Sequence, residues 1–517
     1  MKIERTKNAF RNIVFGIILK FYQVIIPFLL RTEMIRCLGL EYVGLNSIFS
    51  SVLQVLSLAE LGVGVAMVFS MYKPIAMDDT EKINALMALY RKYYRIIGWV
   101  IFIGGLLIIP FLPNVIKGEL PADINLYVLY ALNLWATVLS YWLFAYKNCL
   151  INAYQRTDIS SKILIVTSTI QYCFQAIAIY SRNYYAYVLT TIFVQIVTNV
   201  ATSVIVNKAY PQYRPEGELS KGEVKIINRK IKDLFTSKIG SVILNAGNTL
   251  VISAFLGVHV VGIYQNYYYI MSSIMSFIAI ALSSITAGLG NSLVTETKQK
   301  NYNTFNSITF LIAWISGFCS TSFLCLYQPF MTEWIGKEGV LPFGIVICLI
   351  FYFYVYEINQ MLNIFKDAAG IWHEDRFRPL VVALTNLSLN LLTVQSCGLY
   401  GVVLSTPLSI CLIGIPWILG NIFRTVFTGC DKKKFIRKLL LWTVINALFS
   451  MVCFLITCQL PFTWLFIMLR LIIIFVVFNS MYIFCFRKKI VFYEAMQMLE
   501  RAFYGKIRLT KLSSIDR

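Results

Sequence analysis

Long apolar runs, separated by short polar connections, fill the chain from Asn12 to Phe486. A helix needs roughly 20 predominantly apolar residues to cross a bilayer core, and about fourteen runs reach or approach that length. They lie near residues 12–35, 45–71, 96–116, 124–146, 159–180, 184–206, 239–255, 260–288, 303–334, 340–365, 377–397, 400–423, 435–458 and 462–486. Their spacing predicts an all-α polytopic membrane protein of about 14 transmembrane helices.

One stretch organises the rest. Leu38-Gly39-Leu40-Glu41-Tyr42-Val43-Gly44-Leu45 returns as Leu256-Gly257-Val258-His259-Val260-Val261-Gly262-Ile263, each copy flanked by long apolar segments. A turn repeated between equivalent helices predicts two similar bundles, and the seam between such halves is where a transporter holds its substrate. The match is short, so chance is the competing explanation. On the repeat reading the chain divides into a six-helix bundle at 1–209, an amphipathic linker at 210–238 and a second six-helix bundle at 239–425. Two further spans follow at 426–486, then a basic tail at 487–517.

Composition narrows the class. Of 517 residues 58% are hydrophobic and 14% charged, far from a soluble protein of this length. The net charge of +21 suggests nucleic acid until its distribution is considered. Lysines and arginines gather in alternate connections, at Lys73 to Arg95, Lys147 to Lys162, Lys208 to Lys238, Lys366 to Arg378 and Arg424 to Lys438. The opposite side carries only Arg36, Lys117, Arg182 and Lys337, so the positive-inside rule places both termini in the cytoplasm. The first span lacks a small-residue cleavage site and reads as retained. Twelve scattered cysteines without CxxC spacing, among them Cys173, Cys319, Cys348, Cys411 and Cys453, read as small buried hydrophobes. His259 and His373 are too far apart in sequence to suggest a metal, and no cofactor motif is present. The loops are too short for a catalytic domain, which disfavours a polymerase or ligase.

Three connections are amphipathic: Thr80 to Tyr94 through Ile83, Leu86, Tyr90 and Tyr93; the linker through Val224, Ile227, Ile231 and Leu234; and the tail through Phe492, Met496, Leu499 and Phe503. Each suits the anionic inner membrane surface or a neighbouring helix end equally well.

A charge at the bilayer centre costs at least about 2.5–3.5 kcal/mol, so each demands a reason. Lys20, Gln23, Arg31 and Glu33 lie in the first span, Glu60 in the second, Glu357 in the tenth and Arg470 in the last. Depth allows Lys20 and Glu60 to pair, either as a structural salt bridge or as a site that exchanges partners during transport. Glu357 has no evident partner and is a candidate ion carrier, as is Glu60. Asn245 and Asn248 share a face at i and i+3, with Gln265 and Asn266 following on the next span. Interhelical hydrogen bonding competes with substrate binding for these amides. Pro27, Pro342, Pro407 and Pro416 permit kinks, and Gly62 with Gly64 a bend or close contact.

The segment EYVGLNSIFSSVLQVLSLAELGVGVAMVFSMYKPIA, with the charged helix ending LYRKYYR, resembles the polysaccharide repeat-unit flippases of bacteria, the Wzx type. FLGVHVVGIYQNYYYI and GLYGVVLSTPLS resemble recurring elements of the same family, in a superfamily that also holds multidrug MATE exporters and lipid II flippases. The resemblance covers essentially the full length. It implies two six-helix bundles in a V with two appended helices, set in the bacterial inner membrane. It also implies a substrate, an oligosaccharide joined by diphosphate to a polyprenol and turned from the inner to the outer leaflet. Lys20 and Arg31, with Arg470 as a weaker choice, would meet the diphosphate. Gln23, Asn245, Asn248 and Gln265, with the faces of Tyr264 and Tyr267, would meet the sugars. Protons or sodium are expected at Glu60 or Glu357, and glycan polymerases and glycosyltransferases are expected neighbours; nucleic acid is not. A MATE-like exporter of small cations is the alternative, and a non-transporting scaffold for glycan assembly a third reading.

Overall fold

A computed structural model describes residues 5–60, 62–118, 120–502 and 509–512. Phe503 of the sequence expectations and the tail after it, residues 509–512 excepted, lie outside the described residues, as does the Leu234 side chain. The chain divides into two compact units, Met1–Gln265 and Asn266–Arg517.

The first unit contains α1 (Arg5–Cys37), α2 (Leu40–Leu56), α3 (Val63–Ala76), α4 (Thr80–Ile108), the short α5 (Leu112–Val115), α6 (Leu126–Trp142), the short α7 (Asn148–Ala153), α8 (Thr157–Tyr180), α9 (Tyr184–Ala209) and α10 (Lys221–Leu256). The boundary falls within α11 (Val258–Thr295). The second unit continues through α12 (Lys298–Ile335), α13 (Phe343–Ala368), α14 (Arg378–Cys397), α15 (Leu399–Ser409), α16 (Ile415–Thr425), α17 (Lys432–Thr457), α18 (Trp464–Phe486) and α19 (Ile490–Ala502). Among the described residues, thirteen segments are long and apolar enough to cross a membrane, and α6 with α7 makes a fourteenth if that pair, bent by 47°, is one span. No strand occurs among the described residues.

Polar side chains set the helix starts. Asp79, Asn125, Asn183, Thr297 and Asp431 each accept from a backbone N–H of the first turn that follows. Ser220 and Glu223 close a reciprocal capping box at the head of α10. These residues supply acceptors that a helix N-terminus otherwise lacks.

Besides the bent α6–α7 pair, the second and twelfth spans are interrupted. The second passes from α2 through a 3-10 turn at Ser57–Glu60 and a left-handed Gly62 (φ 88°) before α3 resumes. The twelfth widens into a π turn at Ile410–Gly414, between Pro407 and Pro416. Irregular backbone at membrane depth survives only where protein or a cavity satisfies it, which directs attention to both breaks.

In the second unit α12 is the hub, packed by α13, α17, α18 and α19. Phe305 lies against Phe365, Phe427 and Phe435, and Phe310 against Trp442, Tyr482 and Phe486. The tail helix α19 belongs to this core. Phe492 and Met496 are buried, and the Glu494 carboxylate accepts from Asn303 (3.2 Å) and Ser307 (2.9 Å) of α12. In the first unit, Ile83, Leu86 and Tyr90 of α4 and Ile227 of α10 are likewise buried within the protein. The two helices are joined by Lys82–Glu223 and by the Tyr93 hydroxyl on Asn228 (2.6 Å). All twelve cysteines are free, with Cys348 and Cys453 buried; Cys173 departs from expectation and reaches the protein surface.

Candidate functional site

The repeated turn folds the same way twice. Gly39 (φ 123°, ψ 172°) leads into α2 and Gly257 (φ 91°, ψ 167°) into α11, and both positive φ values favour glycine. Each glycine N–H donates five residues back, Gly39 to Met34 O and Gly257 to Ile252 O, both at 3.1 Å. The copies also cross. A Cβ on Gly44 would come within 3.0 Å of Val258 O, and one on Gly262 within 3.0 Å of Leu40 O. The seventh residue of each copy therefore lies against the third of the other. Glu41 and His259, the fourth residue of each, meet at 2.8 Å (Oε1 to Nδ1).

Along α1, Lys20 and Arg31 are eleven residues apart. That is close to three helical turns, which puts them on one stripe with Gln23 nearby. Gln23 is exposed and Lys20 partly buried, and neither has a partner among the described residues. Arg31 reaches across to the α10–α11 pair, its Nη1 donating to Gln265 O at 3.3 Å. The Gln265 amide in turn donates to Thr249 Oγ1 at 2.8 Å. The structure thus joins Arg31, Gln265 and Thr249, the last of which sequence reasoning missed. Asn245 is exposed on α10, whereas Asn248 and Tyr264 are buried in the packing around this junction.

Glu60 sits at the break of the second span, and its partners are tyrosines rather than Lys20. Oε1 accepts from Tyr94 and Oε2 from Tyr141, each at 2.7 Å, and Tyr90 donates to the Tyr94 oxygen at 2.6 Å. The break turns the carboxylate toward α4 and α6. Sequence reasoning missed Tyr94 and Tyr141, whose hydroxyls give them this role. Lys147, expected in a connection, is 7% exposed and donates to Ser203 Oγ and Asn207 Oδ1, both at 2.7 Å.

In the second unit, Glu357 is fully buried on α13, and neither carboxyl oxygen has a hydrogen-bond partner among the described residues. Two expected ligand contacts are corrected here. Arg470 is 2% exposed; its guanidinium donates to Cys325 O (3.1 Å) and Leu460 O, with Phe462 against its plane. Those carbonyls occupy it with holding α12, α18 and the loop before α18 together. Tyr267 is fully buried, accepting from Leu341 N (3.1 Å) and donating to Gln328 Oε1 (3.2 Å). Its ring has no free face to offer a sugar.

The number of long apolar helices makes this a multi-pass membrane protein, and its fold is similar to that of solved MOP-superfamily transporters. Among solved structures, the chain is similar to the lipid II flippase MurJ in an inward closed conformation, at a TM-score of 0.67 and 16% identity over 91% of this chain and 98% of that one. It is also similar to an inward-facing multidrug resistance MATE family transporter, at a TM-score of 0.59 and 17% identity over 80% and 99% of the two chains. A MOP superfamily transporter from Pyrococcus furiosus matches at a TM-score of 0.52 and 16% identity, covering 81% and 95%. No protein-family profile matches the sequence, and no curated protein does.

Proposed function

We propose that the chain is a flippase for a polyprenyl-diphosphate-linked oligosaccharide repeat unit, carrying it from the cytoplasmic to the outer leaflet by alternating access. The observation that supports this reading most is the α1 stripe. Among the described residues Lys20, within the first span, has no hydrogen-bonding or ionic partner, and an anionic ligand would offset the cost of its charge. A diphosphate supplies two such groups. Arg31 would complete the anion contact from its place beside Gln265, and Gln23 and Asn245 would hydrogen-bond sugar hydroxyls. The likeness to a lipid II flippase agrees with a lipid-linked cargo. Glu60 and Glu357, each a carboxylate at membrane depth without a cationic partner among the described residues, would bind the coupling proton or sodium. The termini would face the cytoplasm, and the two bundles would rock about the substrate.

The same two carboxylates favour a second reading, export of a small organic cation by a MATE-like cycle. Proteoliposome flipping separates the two. A fluorescent polyprenyl-diphosphate oligosaccharide, its sugar trapped from outside by a lectin, is expected to cross with the wild type. Transfer is expected to fall about tenfold or more in Lys20→Ala, the loss of one charge-assisted contact. Unchanged flipping in that variant overturns the site assignment. Absence of flipping together with uptake of an organic cation moves the reading to export.

A further inference from the structure

Along the twelfth span, from its π turn onward, lies a cleft of about 480 Å3 lined by Leu412, Ile413, Pro416, Trp417, Gly420, Asn421 and Arg424. From Leu412 to Arg424 it runs about 18 Å along the helix, close to the depth of one leaflet of a bilayer core about 30 Å thick. Its lining is graded: apolar through Pro416, an indole at Trp417, then an amide and a guanidinium.

The polar end is rich in donors and poor in acceptors. Among the described residues, the Trp417 indole N–H, the Arg424 guanidinium and the Lys432 ammonium have no hydrogen-bonding or ionic partner. Gly420 leaves the floor open, with Lys432 Nζ 3.8 Å from where its Cβ would stand. No carboxylate lines the cleft. Asp375 nearby is committed to Arg378 (2.7 and 2.8 Å), Asp431 caps α17 through Lys434 N, and Glu374 contributes only a backbone carbonyl, to Asn421. Lys432, Lys433 and Lys434 also occupy the first turn of α17, which has no acidic residue. A helix dipole disfavours cations there, and a bound anion relieves that cost.

We infer that this cleft is a binding site for an anionic phospholipid of the membrane. The phosphate accepts from Arg424, Lys432 and the Trp417 indole, and the upper part of an acyl chain lies over Pro416, Ile413 and Leu412. Basic clefts at the ends of membrane helices are matched to such headgroups, and the volume suits a headgroup with a few methylenes but not an oligosaccharide. The inference is independent of the cargo proposed above.

The test is native mass spectrometry and thermal unfolding of the full chain in detergent with added lipid. Phosphatidylglycerol is expected to bind roughly tenfold tighter than phosphatidylcholine and to raise the unfolding temperature. Arg424→Gln with Lys432→Gln is expected to bring the two lipids within about twofold of each other. Gly420→Leu, which fills the floor without altering charge, is expected to weaken both. Equal binding of the two lipids by the wild type, or an unchanged preference in the double variant, overturns the site. Displacement of phosphatidylglycerol by equimolar polyprenyl diphosphate reassigns it to the cargo, and displacement by millimolar inorganic phosphate reduces it to a free-anion site; either overturns the lipid assignment.

Discussion

Gly44 and Gly262 each lie against the backbone of the other's helix turn, Gly44 on Val258 O and Gly262 on Leu40 O. They are the same position of a repeated sequence, so one close approach is made twice by equivalent residues, with Glu41 and His259 paired between them. A backbone carbonyl cannot swing aside as a side-chain tip can. Gly44→Ala and Gly262→Ala are therefore each expected to destabilise the protein by about 1–3 kcal/mol, the usual cost of overpacking. Gly247→Ala, at a helical position with nothing within 4 Å, is the neutral control. Thermal unfolding followed by cysteine-reactive fluorescence reads all three. Equal midpoints would mean that the crossing is loose.

That crossing shows what the sequence could and could not reveal. The repeat was visible as letters because both copies need a left-handed glycine at the second position and no side chain at the seventh. Span positions were visible because a bilayer demands length and hydropathy. What each intramembrane charge touches was not visible, since a hydroxyl or carbonyl partner leaves no periodic trace. Lys20 and Glu60 are compatible in depth, yet the 3-10 turn at Ser57–Glu60 hands the carboxylate to Tyr94 and Tyr141. Arg470 looks like a ligand group and is held by two backbone carbonyls. Tail residues Phe492 and Met496 fit a membrane surface or a helix end equally, until Glu494 is seen anchored to Asn303 and Ser307.

The tyrosine cage of Glu60 separates structure from transport. Removing one hydroxyl leaves a carboxylate oxygen without its donor, and hydrogen bonds to charged groups are worth about 1.5–3 kcal/mol. Tyr94→Phe and Tyr141→Phe are each expected to lower stability by about that amount. Glu60→Gln keeps one acceptor and adds a donor, so it is expected to fold nearly as well while losing dependence on an ion gradient. Gradient-driven flipping that survives in Glu60→Gln would remove this residue from the coupling proposal.

Acid should loosen the start of α10 from α4. The Lys82 ammonium, with help from Ser220, holds the Glu223 carboxyl below its ordinary value of 4.5. A carboxyl depressed in the folded state contributes stability that is present above its unfolded value and is lost as pH falls through the folded one. The pair is largely exposed, so its effect on global stability is small. Local opening is the better readout. Hydrogen exchange of the first turns of α10, corrected for intrinsic rate, is expected to rise as pH drops below 4.5, and Glu223→Gln is expected to abolish that rise. A pH response preserved in the variant would assign it to another group.

Glu357 is the reverse case, a group the fold would be more stable without. Its carboxyl is fully buried on α13 and neither oxygen meets a donor, so its desolvation is uncompensated. An apolar side chain of similar length removes that cost, and such replacements of buried polar groups stabilise by up to a few kcal/mol. Glu357→Leu is expected to unfold at a higher temperature than the wild type. If the carboxyl carries the coupling ion, flipping driven by a proton or sodium gradient falls in the same variant while gradient-independent exchange persists. Glu357→Gln tests the chemistry separately, because an amide keeps the shape and cannot exchange a proton. A stabilised Glu357→Leu with full gradient response would leave Glu357 as a costly residue without a transport role, and coupling would then rest on Glu60 alone.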